Sequence, residues 1–446
     1  MMVTPRLVAL FLALLCGSAA TSVTAQHPSE GPAPQPLIIT PVESRAEAVP
    51  AAPDASPKDA AGGAVAATPV PAASVTPSVA LLLPASGKLA EAGQALREGV
   101  VQGYYAHVPA TAQPLQLRFY VVDSPEDARA RYDQAVSDGA KAIIGPVQKE
   151  AVAALAASGE LGVPVLALNV LPAGQSAPAS LYQFALEPEE EVGQVAERVA
   201  LDGLLQVFVV TASGAYNNRL SEAFRPRLIA AGGSVVEELK LGASNEEWTG
   251  QIKRAFKVKL PPKTAPKPAP KAAPPGSAEA AEAPAPVLHR EDVNAIFFAG
   301  NGQQLRQFML YLDFHRIALP VFSTSQVWSG RRLAQAGVGG AEFPDAPFML
   351  DDNPQGLAAQ ALALWPASTA KYPRLVAMGL DAWELALRLS GIKGHPADRV
   401  AGATGELKLD ANRRVQRQLA WARLQDGTAV PAGQAPVTLP AAGPAP

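Results

Sequence analysis

A chain of 446 residues could hold two or three domains, yet much of this one cannot build a core: 25 of its 43 prolines fall in 27–77, 261–286 and 431–446. Those segments are mostly Ala, Pro, Lys, Glu and Ser, a composition too poor in apolar surface to offset the entropy of ordering. A net charge of −3 with only 6% aromatic residues excludes the basic, base-stacking surface of a nucleic-acid binder.

Residues 1–25 read as an export signal: Arg6 supplies a weak positive start, 7–15 an apolar run, and Val23-Thr24-Ala25 small residues for cleavage. The run is too short to span a bilayer, and no later stretch reaches the length of a membrane helix. The single cysteine, Cys16, ends that run and is a candidate lipidation site, although Leu15 stands where lipoprotein processing prefers a small residue. Cleavage after Ala25 instead leaves no cysteine, and so no disulfide or thiolate site.

Residues 26–77 form a Pro/Ala-rich linker. Val79-Ala-Leu-Leu-Leu83 then predicts a strand buried on both faces. Pro84 ends it, Ser86-Gly87 turns, and Leu89, Ala92, Leu96 and Val100 recur at helical spacing. The backbone N–H groups at that helix start are a potential cradle for an anionic ligand. The rhythm continues as helix 88–106, strand 115–122, helix 125–138, strand 142–146, helix 148–158, strand 163–169 and strand 182–186. A second series has helix 188–202, strand 206–211, helix 217–231, strand 234–241, helix 246–256, strand 295–299, helix 302–314 and strand 319–323. Such alternation means βαβ units and mostly parallel sheets.

Between the last two helices of that series lies an insert, 257–290, basic early (Lys263, Lys267, Lys271) and acidic late (Glu279, Glu282), read as a solvated excursion. Helices 355–365 and 372–390 follow, then strand-like pieces at 402–409 and 417–423, and a disordered tail from 431.

No catalytic constellation emerges. The histidines (27, 107, 289, 315, 395) lack metal-pair spacing, and neither a nucleophile elbow nor a phosphate loop is present. Gly337-Val-Gly-Gly340 reads as a loop, and Glu187, Glu189, Glu190 and Glu191 around Pro188 as the acidic first turn of a helix. No metal or cofactor is expected. Open α/β sheets bind ligands at the carboxyl ends of their strands. Ser86, Gly87, Asn169, Tyr216, Thr324 and Ser325 therefore form a candidate cleft set, with Asp381 as a further cleft carboxylate.

The runs 80–99, 142–146 and 163–169 resemble type I periplasmic binding proteins. Pro320-Val-Phe-Ser-Thr-Ser-Gln-Val-Trp-Ser-Gly330, and Gly402 to Asp410 leading into Arg413 to Arg423, resemble more narrowly the LppC/LpoA family of penicillin-binding-protein activators. The resemblance covers roughly 78–430. It implies an α/β, two-lobed fold, with 78–187 plus 341–393 in lobe 1 and 188–340 plus 394–430 in lobe 2. It also implies a non-enzymatic periplasmic protein that binds a class A penicillin-binding protein and stimulates peptidoglycan synthesis, anchored at the outer membrane where Cys16 is lipidated. Peptidoglycan itself is a further candidate partner, and Trp328 and Arg331 are candidate partner anchors. Longer members of that family carry a helical-repeat N-terminal domain, in whose place the resemblance leads one to expect the linker here. Asn169-Val-Leu-Pro172 also lacks the hydroxyls with which the amino-acid-binding branch holds its ligand. The alternative is a solute receptor for an amino acid or cell-wall fragment.

Overall fold

The computed structural model describes residues 77–107, 115–257, 290–330 and 340–432. The export signal, nearly all of the linker and insert, the tail beyond Ala432, Cys16 and Arg331 lie outside them.

The first lobe opens with β1 (Ser78–Leu83), α1 (Ala90–His107), β2 (Gln116–Val121), α2 (Asp127–Ser137), β3 (Ala140–Ile144), α3 (Lys149–Ala157), β4 (Val165–Ala167) and β5 (Leu181–Gln183). The strands make a parallel sheet ordered β2-β1-β3-β4-β5. β1 shows why the apolar run is continuous. Val79, Leu81 and Leu83 pack against Leu96 and Val100 of α1, whereas Ala80 and Leu82 pack against α2 and α3 on the other face. Full burial of each leucine contributes about 1.5–3 kcal/mol.

The second lobe comprises α4 (Pro188–Leu201), β6 (Gln206–Thr211), α5 (Ala215–Ala230), β7 (Ser234–Lys240), α6 (Asn245–Ala255), β8 (Ala295–Ala299), α7 (Gly302–Phe314), β9 (Val321–Phe322) and β10 (Ala341–Asp345). Here too both faces are covered. Val207, Val209 and Phe297 meet α4 and α5, where Phe224 stacks on Phe297 with centroids 4.0 Å apart; Phe208 and Phe298 meet α6 and α7.

The chain then returns through α8 (Pro347–Leu350), α9 (Leu357–Leu364), α10 (Pro366–Lys371) and α11 (Pro373–Leu389). α11 lies against α1, with Gly99 and Gly379 at the crossing. A Cβ on either would overlap backbone of the other helix, so only glycine permits the approach. β11 (Val400–Ala401), β12 (Glu406–Leu409) and β13 (Val415–Gln418) form a small antiparallel sheet, and β14 (Ala420–Gln425) and β15 (Thr428–Pro431) complete the second lobe's sheet, ordered β15-β14-β10-β9-β8-β6-β7.

Two boundaries differ from the sequence reading. Ala341–Asp345 is a strand of lobe 2, parallel to β9 and antiparallel to β14, so the crossover comes after Asp345 and not at 341. Pro344 obscured this strand. It is tolerated because β9 pairs β10 only at Ala341 and Glu342, leaving no ladder for a missing N–H to interrupt on that side. Second, the sheet β11-β12-β13 belongs with lobe 1. Val400, Leu407 and Val415 join the core of Leu81 and Trp383, and Gln183 of β5 donates its N–H to Arg413 O at 2.9 Å. The chain re-enters lobe 2 only at β14. The tail likewise starts later than 431, since Ala432 N–H still bonds Trp421 O at 2.8 Å.

Candidate functional site at the interlobe crossovers

Among the described residues, three chain crossings join the lobes: 184–187 before α4, Ala346 after β10, and Leu419 between β13 and β14. They surround a pocket of about 160 Å3 whose walls include Leu186, Glu191, Tyr216, Ser325, Asp345 and Arg374. This is the floor of the expected cleft.

Glu191, Asp345 and Arg374 in its wall are held by groups of the protein itself. Arg374, in the first turn of α11, donates from Nε to Asp345 Oδ1 at 2.9 Å and from Nη2 to Oδ2 at 2.6 Å. The same Nη2 reaches the carbonyls of Ser325 at 3.0 Å and Trp328 at 2.9 Å. Asp345 is 1% exposed, so its charge depends on that fork. Glu191 accepts from the Ser325 N–H and, at 3.0 Å, from its hydroxyl. Burial pushes the Glu191 carboxyl up to about 7, against the pull of the Ser325 amide and of Arg374. At the first crossing Glu187 pairs with Arg414, and at the third Gln194 of α4 donates to Arg417 O and accepts from Leu419 N–H, both at 2.9 Å.

The anion cradle expected at the first helix is filled by the protein itself. Ala85 and Ser86 donate their N–H groups to Asp123 Oδ1 at 2.8 and 3.0 Å, and the Ser86 hydroxyl donates to Oδ2 at 2.7 Å. Gly87 turns there with φ +69°, a backbone conformation glycine adopts without strain. Asn169 is similarly engaged: its amide donates to Val147 O at 3.0 Å and accepts from Val170 N–H at 2.9 Å. Tyr216 and Ser325 do line the pocket, while Thr324 beside them is 1% exposed.

Asp381 is not a cleft carboxylate. It is buried, accepting from Ala403 N–H at 2.6 Å, Thr404 N–H at 2.7 Å and the Thr404 hydroxyl at 2.6 Å. Burial raises its carboxyl to about 6, against the pull of Thr404. Trp328 is not an exposed anchor either: it is 7% exposed, and its indole N–H donates to Met349 O at 3.0 Å.

Sequence reasoning missed Asp123, Arg374, Asp345 and Arg417. Arg374 carried a signal, since a cation in the first turn after Pro373 opposes the helix dipole and needs a separate partner. So did Arg417, whose position alternates in phase with the buried Val415 and Leu419. Among the described residues no cluster of side chains could hold a metal ion, and no helix is long and apolar enough to cross a membrane.

A single apolar cluster also runs from Phe208 and Phe298 of lobe 2 through Trp328, Phe348 and Met349 to Val376, Ala377 and Leu380 of α11. An extended apolar contact of this kind resists relative domain motion.

The family described as "LppC putative lipoprotein" matches residues 72–427. The penicillin-binding protein activator LpoA of Serratia proteamaculans is 28% identical over 334 residues, 72% of this chain and 48% of that protein. The chain thus spans about half the length of the curated relatives it matches. The C-domain of Haemophilus influenzae LpoA, a regulator of PBP1A, aligns with TM-score 0.58 and 23% identity over 80% of this chain and all of that domain. A Chromobacterium violaceum protein named for a branched-chain amino acid ABC transporter aligns with TM-score 0.56 and 26% identity, covering 78% of this chain and 99% of its own. The two-lobed α/β fold is that of periplasmic binding proteins, and this chain belongs to the LppC family.

Proposed function

We propose that this chain is a non-enzymatic, cofactor-free periplasmic activator that binds a class A penicillin-binding protein and stimulates peptidoglycan synthesis. The observation that carries the reading is the family match running through both lobes, among relatives that bear the activator name. The physics of the cleft agrees with it. A pocket of about 160 Å3 is small beside sites for drug-sized ligands, about 300–1,000 Å3. Its Glu191, Asp345 and Arg374 are engaged by groups of the protein itself, and the lobes share an apolar contact. Such a body suits presentation of a fixed surface. The export signal and Cys16 support secretion and tethering to the outer membrane, which the intact mass of the mature N-terminus tests.

The experiment is capture of purified class A synthases by the mature protein, with glycan polymerisation measured in its presence and absence. Co-elution with a several-fold rate increase supports the reading; no binding and no rate change sink it. The solute-receptor reading draws on the Chromobacterium likeness. A saturable thermal stabilisation by an amino acid or muropeptide, abolished by Tyr216→Ala, would favour it instead.

A further inference from the structure

A second pocket, of about 250 Å3, lies between α4, α5, the β11-β12-β13 sheet and Trp421 of β14. None of the candidate cleft residues lines it. Arg417 alone borders both cavities.

Some of its charges are matched. Arg399 pairs with Glu406 at 2.6 Å, and Arg198 pairs with Asp202 at 2.8 Å and lies 5.2 Å over the Trp421 ring. The remainder are not. The Arg417 side chain is 6% exposed, its Nε has no hydrogen-bond partner, and its nearest carboxylate oxygen, Glu190 Oε2, stands 4.0 Å away without a partner of its own. Arg227 and Lys408, exposed on the pocket walls, have no hydrogen bond or ion pair among the described residues. Among the described residues, the pocket-lining carboxylates not already paired with Arg399 are Glu190 and Glu197, and burial pushes both up, Glu190 to about 7. Glu190 therefore carries less than full negative charge near neutrality. The cations are left in excess, one of them buried. A buried guanidinium with an orphaned Nε and an ion pair as long as 4.0 Å is poorly compensated, and its planar donor fork fits an oxyanion.

We propose that this pocket binds a small ligand bearing a carboxylate or phosphate group, held by Arg417, Arg227 and Lys408. Arg227 belongs to lobe 2, while Lys408 and Arg417 lie on the sheet docked to lobe 1. An occupant would cross-link the lobes beside the third crossing. This inference stands apart from synthase activation, because its readout is ligand binding alone.

The test is thermal denaturation and calorimetry of the full mature chain with sodium phosphate, citrate or acetate, each against sodium chloride at equal ionic strength. Because Arg227 and Lys408 are exposed, R227Q/K408Q should fold, and its unliganded Tm and circular dichroism check that. The expected result is a saturable rise in Tm with at least one oxyanion and at least tenfold weaker binding in R227Q/K408Q. Saturation by phosphate alone assigns a phosphate ligand; saturation by the carboxylates alone assigns a carboxylate. No saturable rise over chloride, or undiminished binding in the folded double variant, overturns the proposal.

Discussion

Arg374 grips both carboxylate oxygens of Asp345, at 2.9 and 2.6 Å, at the point where the chain leaves lobe 2 for α8 to α11. The pair joins the start of a lobe 1 helix to the end of a lobe 2 strand, and Arg374 also caps the carbonyls of Ser325 and Trp328. Removing the cation strands a carboxylate that is 1% exposed. Arg374→Met should lower unfolding free energy by about 3–5 kcal/mol, measured by urea titration. Arg374→Lys should recover only part, because an ammonium cannot span both oxygens.

Glu190 and Glu191 titrate near 7 in the folded protein, raised chiefly by burial, against an ordinary value of 4.5. Between those values the folded state holds protons that the unfolded chain has released, so stability falls as pH rises from about 4.5 to about 7 and then levels. Urea midpoints at pH 5, 6, 7 and 8 should show that decline. E190Q should flatten it and be more stable than the parent at pH 8. A midpoint that rises between pH 5 and 7 would contradict the assignment.

The α1–α11 crossing depends on two glycines that meet backbone to backbone. Gly379→Ala should destabilise the protein by about 1–3 kcal/mol, since neither helix can yield by moving a side chain. Differential scanning calorimetry gives the loss directly. Ala at Gly250, where an added Cβ meets nothing, serves as the control.

Asp381 anchors the 403–404 turn through three hydrogen bonds. Asp381→Ala should cost about 1–3 kcal/mol or more by stranding buried donors, with Asp381→Asn intermediate. Hydrogen exchange at Ala403 and Thr404 should accelerate in both.

Ser86 is bonded to Asp123 and faces no free cradle. Ser86→Ala should therefore leave synthase stimulation within about twofold and alter stability by about 0.5–1.5 kcal/mol. A loss of stimulation well beyond any loss of folded protein would restore the cleft as the working site.

The order of strands and helices was legible because each buried strand is a continuous apolar run, and because Pro188 and its glutamates mark a helix start. Those are local signals, carried by neighbours in the chain. β10 was not legible: Glu342, Pro344 and Asp345 read as polar or strand-breaking until Arg423 and Arg374, far away in sequence, pair with the two acids. The family was legible from blocks 320–330 and 402–423, but the roles inside them were not. Trp328 is core, and Arg417 borders two pockets. Composition and periodicity determined which segments can bury themselves, and so the βαβ units and parallel sheets, while the family resemblance supplied the two-lobed arrangement. Only tertiary structure decided which charges meet and which remain unmatched, because hydrogen bonding and desolvation depend on distances in space that sequence spacing does not encode.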